Sequence, residues 1–216
     1  MNASMARKRE CLESILRRAP VIAVVTIDEA NAAVPLARAL LDGGIHAIEI
    51  TLRTPVALDA IRAIAKDLPQ AAVGAGTVLS AADFAAAVAT GAKFAVSPGA
   101  TPALIDAAEK SPLPWLPGAA TASEAMALAQ HGYGLQKFFP AQAAGGVDYL
   151  RSLGGPLPQI RFCPTGGISV QNAHDYLRLP NVVCVGGSWL TPPALVHAAD
   201  WPAITALARA AAALRG

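Results

Sequence analysis

The sequence predicts an α/β fold, a (β/α)8 TIM barrel with an extra N-terminal helix. Short β-branched runs alternate with Ala- and Leu-rich segments of helical length along the whole chain, which is typical of repeated βα units and a parallel sheet. Eight units divide the 216 residues into 27 each, close to the about 30 that a strand, a helix and two loops need. Because such barrels form single domains of up to roughly 250 residues, we expect one domain, residues 1–216.

Short apolar runs bounded by turn residues predict eight buried strands. In order they are Val21–Thr26, Ile45–Thr51, Ala72–Gly76, Phe94–Ser97, Trp115–Leu116, Leu135–Phe139, Ile160–Cys163 and Val182–Val185. Helices are predicted between them at Glu29–Leu41, Pro55–Leu68, Ala81–Thr90, Pro102–Lys110, Ala122–Gln130, Val147–Leu153 and Val170–Leu179. A further helix precedes the first strand, and helical sequence runs from Pro202 to the end. Residues typical of N-caps lie before four of these helices, namely Ser80, Thr101, Thr121 and Ser169.

An open, doubly wound sheet is the competing architecture. That fold usually has a Gly-rich turn after its first strand, whereas the turn here reads Thr26-Ile27-Asp28-Glu29. Gly74-Ala75-Gly76 is similar to half of a dinucleotide-binding fingerprint, but Leu79 occupies the place of the third glycine. The barrel is therefore favoured, and no dinucleotide is expected.

The composition excludes several classes of protein. With 54% hydrophobic and 15% charged residues, the chain can bury enough apolar surface to fold, which excludes a disordered or coiled-coil protein. A net charge of +2 is too balanced to hold a polyanion, so we expect no nucleic-acid partner. The mean hydropathy of +0.42 suggests a membrane, but no apolar run reaches about 18 residues, so we expect no membrane partner.

The first residues and the cysteines indicate the compartment. Residues 1–9 lead into Glu10 and Cys11 rather than into the apolar segment of about 7 to 15 residues of a secretory signal. The other cysteines, Cys163 and Cys184, complete an odd number with no CxxC spacing, which predicts thiols rather than a disulfide framework or a zinc site. We expect a cytoplasmic protein.

Lys137 is the most informative residue near the strand ends, where barrels carry their active sites. The other four lysines fall in predicted helices or at turns from a helix to a strand, whereas Lys137 lies within the sixth strand. A buried ammonium is costly unless it loses its proton or finds a partner, and a neutral amine attacks ketones to form a Schiff base. The alternatives are a lysine that reaches solvent at the barrel mouth or one that only binds an anion.

Glu49 is the only one of the 15 acidic residues that we place within a strand. Alternation along Ile45–Thr51 puts its side chain inside the barrel, and Arg53 shares that side if the strand continues. A buried carboxylate favours catalysis. The alternative is a structural ion pair of Glu49 with Arg53 or with Lys137.

Two glycine pairs follow the seventh and eighth predicted strands. Gly166-Gly167 and Gly186-Gly187 allow backbone N–H groups to approach an anion, and Ser188 adds a hydroxyl. The loops after these two strands are the frequent phosphate site of the fold. The sequence thus predicts a phosphorylated ligand.

Six motifs together resemble the 2-keto-3-deoxy-6-phosphogluconate (KDPG) aldolase / 4-hydroxy-2-oxoglutarate aldolase family. They are Glu49-Ile50-Thr51-Leu52-Arg53-Thr54, Gly74-Ala75-Gly76-Thr77-Val78, Ser97-Pro98-Gly99, Lys137-Phe138-Phe139-Pro140, Thr165-Gly166-Gly167 and Gly186-Gly187-Ser188-Trp189. The resemblance implies a class I, metal-independent aldolase that needs no cofactor and forms a homotrimer. It implies cleavage of the phosphorylated keto acid to pyruvate and glyceraldehyde 3-phosphate.

The resemblance also implies a role for each site residue. Lys137 is the Schiff-base lysine and Glu49 the general acid/base. Substrate is bound by Arg53, Thr77, Pro98, Phe139 and Thr165, and its phosphate by Gly166, Gly167, Gly186, Gly187 and Ser188. Two rivals stay open: a phosphosugar isomerase or epimerase with Glu49 as the enolising base, and a non-catalytic sugar-phosphate binding barrel.

Overall fold

Nine parallel strands lie in two sheets in the computed structural model, which describes residues 3–214. The strands are β1 (Val21–Val25), β2 (Ala47–Thr51), β3 (Ala72–Gly76), β4 (Phe94–Val96), β5 (Trp115–Leu116), β6 (Gly118–Ala119), β7 (Leu135–Phe138), β8 (Arg161–Pro164) and β9 (Val185–Gly187). A curled six-stranded sheet has the order β5-β4-β3-β2-β1-β9, and a three-stranded sheet has the order β6-β7-β8. The fold is therefore mixed α/β, with helices between parallel strands.

The two sheets approach each other at both edges. Only Pro117 separates β5 from β6, because proline has no N–H for the ladder, yet its carbonyl still accepts from Lys137 N at 2.8 Å. At the other edge, isolated bridges pair Phe162 with Val182 and Thr165 with Gly186, next to β8 and β9. Strand pairing thus continues from each sheet toward the other.

Ten α-helices accompany the strands in the part of the chain described. They are α1 (Ala3–Leu16), α2 (Ala33–Asp42), α3 (Ala57–Asp67), α4 (Ala81–Ala89), α5 (Pro102–Lys110), α6 (Ala122–Gln130), α7 (Gly146–Leu153), α8 (Ala173–Leu177), α9 (Pro193–His197) and α10 (Trp201–Ala212). None of them is long and apolar enough to cross a membrane. Residues 1, 2, 215 and 216, which the predicted domain and the predicted C-terminal helix include, lie outside the described residues.

Three predicted caps are confirmed, and one is wrong. Ser80 and Thr121 each form a capping box, and Thr101 accepts from Leu104 N at 3.3 Å. Ser169 is not a cap: its N–H donates to Asn172 Oδ1 at 2.8 Å, and α8 begins only at Ala173. The side chain of Asn172 stabilises a turn over residues 169–172 by accepting this hydrogen bond. The observed helix, Ala173–Leu177, is therefore shorter than the predicted one, Val170–Leu179.

The ends of two other elements also differ from the prediction. The eighth strand of the prediction, Val182–Val185, is observed at Val185–Gly187, so Gly186 and Gly187 lie in the strand rather than after it. The fifth continues past Pro117 as β6. Glycine and proline read as turn residues in a sequence, but neighbouring strands supply hydrogen bonds that keep both segments extended.

The helix α1 covers the amino ends of the strands. Its Leu12, Ile15 and Leu16 belong to an inner apolar cluster with the first residues of β2, β3, β4 and β7. A larger cluster lies between the outer faces of the sheets and the remaining helices. Polar residues lie at the opposite ends of the strands, the carboxyl ends.

Candidate active site

Lys137 and Glu49 are in contact inside the sheet. Lys137 Nζ donates to Glu49 Oε1 at 3.3 Å, and the two residues are only 5% and 2% exposed. Each is the third residue of its strand, β7 and β2. The ion pair of Glu49 with Lys137 that we considered from the sequence is therefore present, whereas Arg53 hydrogen-bonds elsewhere. An amine beside a carboxylate is also the arrangement of a nucleophile with a general base.

Strand alternation explains why both side chains point inward. Ile48 and Ile50, which flank Glu49, are fully buried in the cluster beneath the helices. Gln136, which precedes Lys137, faces α6 and donates to Ala125 O at 2.9 Å. Because side chains alternate along a strand, Glu49 and Lys137 lie on the opposite, inner face.

Phe139 lies beside the amine. Lys137 Nζ is 5.2 Å from the centroid of the Phe139 ring, within the range of a cation–π contact. A Cβ on Gly166, where φ is +97°, would be 3.2 Å from the same ring. The ring therefore connects the lysine to the first predicted phosphate loop.

Arg53 and Thr77 form a second polar pair, at the ends of β2 and β3. Arg53 Nε donates to Thr77 Oγ1 at 3.1 Å. Thr77 has φ of +57°, which is rare for a β-branched residue, and strained backbone of this kind clusters at functional sites. The exposed guanidinium makes no other hydrogen bond among residues 3–214, so its remaining N–H groups are available to a carboxylate.

Pro98 lies two residues after β4, and Thr165 directly follows β8. Ser97 holds the Pro98 turn, since its Oγ donates to Gly99 O at 2.7 Å and accepts from Trp115 Nε1 at 3.1 Å. Thr165 is buried, and its Oγ1 donates to Cys163 O at 3.4 Å. These residues reach the same rim as Arg53 and Thr77, because all the strands are parallel.

The predicted phosphate loops have structural reasons for their glycines. Gly167 has φ of +74°, and a Cβ there would be 2.5 Å from Gln142 Cβ. A Cβ on Gly186 would collide with Thr165, and one on Gly187 with the ring of Trp189. Approach of an anion to these backbones therefore stays a prediction.

Ser188 is exposed and lines a cavity of about 410 Å³ that also contacts Thr26 and Thr191. No hydrogen bond in the described chain joins Ser188, Pro98 or the Arg53–Thr77 pair to Lys137 or Glu49. The structure thus brings the catalytic candidates into contact and arranges the others along the rim. Among residues 3–214, no three His, Cys, Asp or Glu side chains are grouped to hold a metal ion.

Residues 12–207 match the family described as KDPG and KHG aldolase. The chain belongs to the KDPG and KHG aldolase family. The KHG/KDPG aldolase of Escherichia coli (strain K12) is 51% identical over 199 residues, which cover 92% of this chain and 93% of that one. The family resemblance is thereby confirmed.

Two solved structures of this aldolase family show the same fold. The KDPG aldolase of Legionella pneumophila, with pyruvate captured as a covalent carbinolamine, has a TM-score of 0.91 and 47% identity and covers 93% of this chain and 97% of its own. The KDPG aldolase of Zymomonas mobilis ZM4 with 3-phosphoglycerate has a TM-score of 0.89 and 44% identity, covering 96% and 97%.

Sequence reasoning missed two contacts of this aldolase site. Gly76 was part of a quoted motif but had no role, and the structure places it against the carboxylate of Glu49. Gln142 lies over Gly167, with its Oε1 held by Tyr176 Oη at 2.9 Å. The first contact, between Gly76 and Glu49, had a signal in the sequence: by alternation Gly76 faces inward on the strand next to that of Glu49.

Proposed function

We propose that this aldolase is a class I aldehyde-lyase that cleaves KDPG to pyruvate and glyceraldehyde 3-phosphate, with Lys137 as the Schiff-base residue. The observation that carries the proposal is the buried 3.3 Å contact between Lys137 Nζ and Glu49 Oε1. The name of the Escherichia coli relative supports a second substrate. KHG is 4-hydroxy-2-oxoglutarate, which the same chemistry cleaves to pyruvate and glyoxylate.

The reaction begins when the Lys137 amine attacks the C2 ketone. The resulting carbinolamine loses water to give a protonated imine, which accepts the electron pair of the C3–C4 bond when that bond breaks. The C4 hydroxyl loses its proton in the same step and becomes the aldehyde. The enamine left on Lys137 then takes a proton at C3, and water releases pyruvate. The carbinolamine in the Legionella pneumophila structure supports this course.

Glu49 is the group placed to carry these protons. Its Oε1 already contacts Lys137 Nζ, so the carboxylate lies beside the nitrogen on which the imine forms. It accepts the C4 hydroxyl proton, directly or through a water molecule, and returns a proton to the enamine carbon. A base in a dry site acts on the substrate without competing with bulk water.

The rim residues bind the rest of the substrate. The exposed Arg53 guanidinium, fixed by its bond to Thr77 Oγ1, suits the carboxylate next to C2. Phe139, Pro98 and Thr165 shape the space around the keto acid. Gly166, Gly167, Gly186, Gly187 and Ser188 receive the phosphate, in agreement with the phosphorylated three-carbon acid bound to the Zymomonas mobilis relative.

The experiment that tests this function is borohydride reduction in the presence of pyruvate. Reduction converts an imine into a stable adduct, and peptide mass measurement locates it. We expect one pyruvate on the peptide that contains Lys137. The absence of an adduct would favour the isomerase and the non-catalytic binder, neither of which has support among the relatives.

Replacing Ser188 with alanine is expected to affect the phosphorylated substrate selectively. The change removes one hydrogen bond to a charged group, about 1.5 to 3 kcal/mol, so kcat/KM for KDPG falls by roughly tenfold or more. Cleavage of 4-hydroxy-2-oxoglutarate, which lacks a phosphate, should change far less. Equal losses for both substrates in the folded variant would place the phosphate elsewhere. Ser188 is a cleaner probe than Gly167 or Gly187, where any side chain meets protein atoms.

Chelators are expected to leave turnover unchanged. The imine on Lys137 supplies the electron sink that a divalent cation supplies in a metal-dependent aldolase, so cleavage does not need one. The measurement compares kcat for KDPG before and after prolonged dialysis against EDTA. Loss of activity that a divalent ion restores would contradict the Schiff-base mechanism.

Four further features belong to the proposal. We propose a closed (β/α)8 barrel in one domain, residues 1–216, because the bridges beside β8 and β9 and the single residue between β5 and β6 bring the two sheets edge to edge. The homotrimer rests on the resemblance stated above, and the cytoplasm on the three cysteines, an odd number with no CxxC spacing, which are typical of a reducing compartment. Light scattering and cell fractionation test the last two.

A further inference from the structure

We propose that Gly76 is a positioning residue for Glu49: the missing side chain at Gly76 provides the space in which the carboxylate reaches Lys137. The proposal rests on the aldolase function above and adds a requirement on β3. It also assigns a role to Gly74-Ala75-Gly76, the motif that resembled half of a dinucleotide fingerprint.

The carboxylate of Glu49 lies directly on Gly76. A Cβ built on Gly76 would be 2.5 Å from Glu49 Cγ and 2.7 Å from Cδ, and Oε1 would be closer still. Real Cβ atoms essentially never come within 3.0 Å of another group. A side chain at Gly76 and the observed position of Glu49 therefore exclude each other.

The strand register shows that this contact is specific. Glu49 pairs with Gly74, and Thr51 pairs with Gly76, so the Glu49 side chain leans past its direct partner toward the carboxyl end of β3. The space over Gly74 is filled by Phe94, whose ring atoms would be 2.6 Å from a Cβ there. The two inward glycines of one strand thus hold different groups, one apolar and one catalytic.

Backbone conformation does not require glycine at Gly76. Its φ is outside the left-handed range, in contrast to Gly166 and Gly167, so alanine fits the extended strand. Space is the only restriction, and the neighbour that must move is Glu49. Restoring van der Waals contact displaces the carboxylate by roughly 1 Å, a distance at which a misplaced group costs about 10²-fold in rate.

The first test is Gly76→Ala, with Gly74→Ala as the matched control. Both add one methyl group to the inner face of β3, but the nearest atoms belong to Glu49 in the first variant and to the Phe94 ring in the second. We expect Gly76→Ala to retain borohydride trapping of pyruvate on Lys137 while proton exchange at the pyruvate methyl slows by about 10- to 10²-fold. Exchange in folded Gly74→Ala should stay within a few-fold of the parent protein. Equal slowing in both variants would overturn the proposal.

A double-variant cycle separates positioning from general damage. In the Glu49→Gln background the base is already gone, so Gly76→Ala should slow exchange little further. If Gly76→Ala slows exchange by the same factor in both backgrounds, the glycine acts independently of Glu49. That outcome refutes the proposal.

A stability measurement covers the case in which Gly76→Ala folds poorly. Glu49→Ala removes Cγ, Cδ and Oε1, the three atoms nearest to a Cβ on Gly76. Gly76→Ala should therefore lower the urea midpoint with Glu49 present and lower it much less in the Glu49→Ala background. An equal loss in both backgrounds would show that Glu49 is not the obstructed group. Failure of the parent protein to trap pyruvate would refute the aldolase function but leave this cycle readable.

Discussion

Replacing Lys137 with alanine abolishes both aldol cleavage and pyruvate trapping, if the mechanism above is correct. The imine needs a primary amine on the inner face, and the remaining lysines lie on helices or on turns away from the strand carboxyl ends. Activity is measured as pyruvate released from KDPG, and trapping as the mass of the reduced protein. The loss should be complete within detection, because no other residue replaces the electron sink.

Two controls make this result interpretable. Lys93→Ala removes an exposed lysine and should leave both assays unchanged. Removing Lys137 leaves the Glu49 carboxylate buried without its partner, which costs stability by about 3 to 5 kcal/mol in comparable pairs, so circular dichroism must show that the variant is folded. Trapping that persists in folded Lys137→Ala would move the nucleophile to another residue.

Replacing Glu49 with glutamine should separate imine formation from proton transfer. Glutamine keeps the shape that fits against Gly76 but does not accept a proton, so exchange of the pyruvate methyl protons slows by about 10²- to 10⁴-fold. Borohydride trapping should persist, since Lys137 is intact. The measurement follows deuterium entering pyruvate by NMR.

Unchanged exchange in Glu49→Gln would reduce Glu49 to an ion-pair partner of Lys137. Loss of trapping together with exchange would instead show that Glu49 is needed to form the imine. Glu109→Gln, which alters an exposed carboxylate hydrogen-bonded to His131, is the matched control. It should leave both assays unchanged.

The contact of Lys137 with Glu49 could be anticipated because strand parity is visible in a sequence. A lysine and a glutamate that each interrupt an apolar strand need partners, because burial makes an unpaired charge costly, and each was therefore a candidate partner of the other. The helix starts at Ser80, Thr101 and Thr121 were equally local, since a cap bonds to residues within one turn.

The features that could not be predicted from the sequence depend on contacts between neighbouring strands. The space over Gly76 is visible only when the lean of Glu49 past its register partner is known. The extended conformation of Gly186 and Gly187 depends on pairing with β1, which lies more than 150 residues earlier. Composition and spacing carry no record of such long-range geometry, so these residues were assigned to a turn.

The helix α1 closes the space inside the curled sheet at the amino ends of the strands. Leu12, Ile15 and Leu16 fill its amino end, so in the described chain Lys137 is reached from the carboxyl ends of the strands. Substrate and both products then pass through the same opening. In the proposed mechanism pyruvate is still bonded to Lys137 when the aldehyde departs, so pyruvate is the last product to leave in cleavage and the first reactant to bind in synthesis.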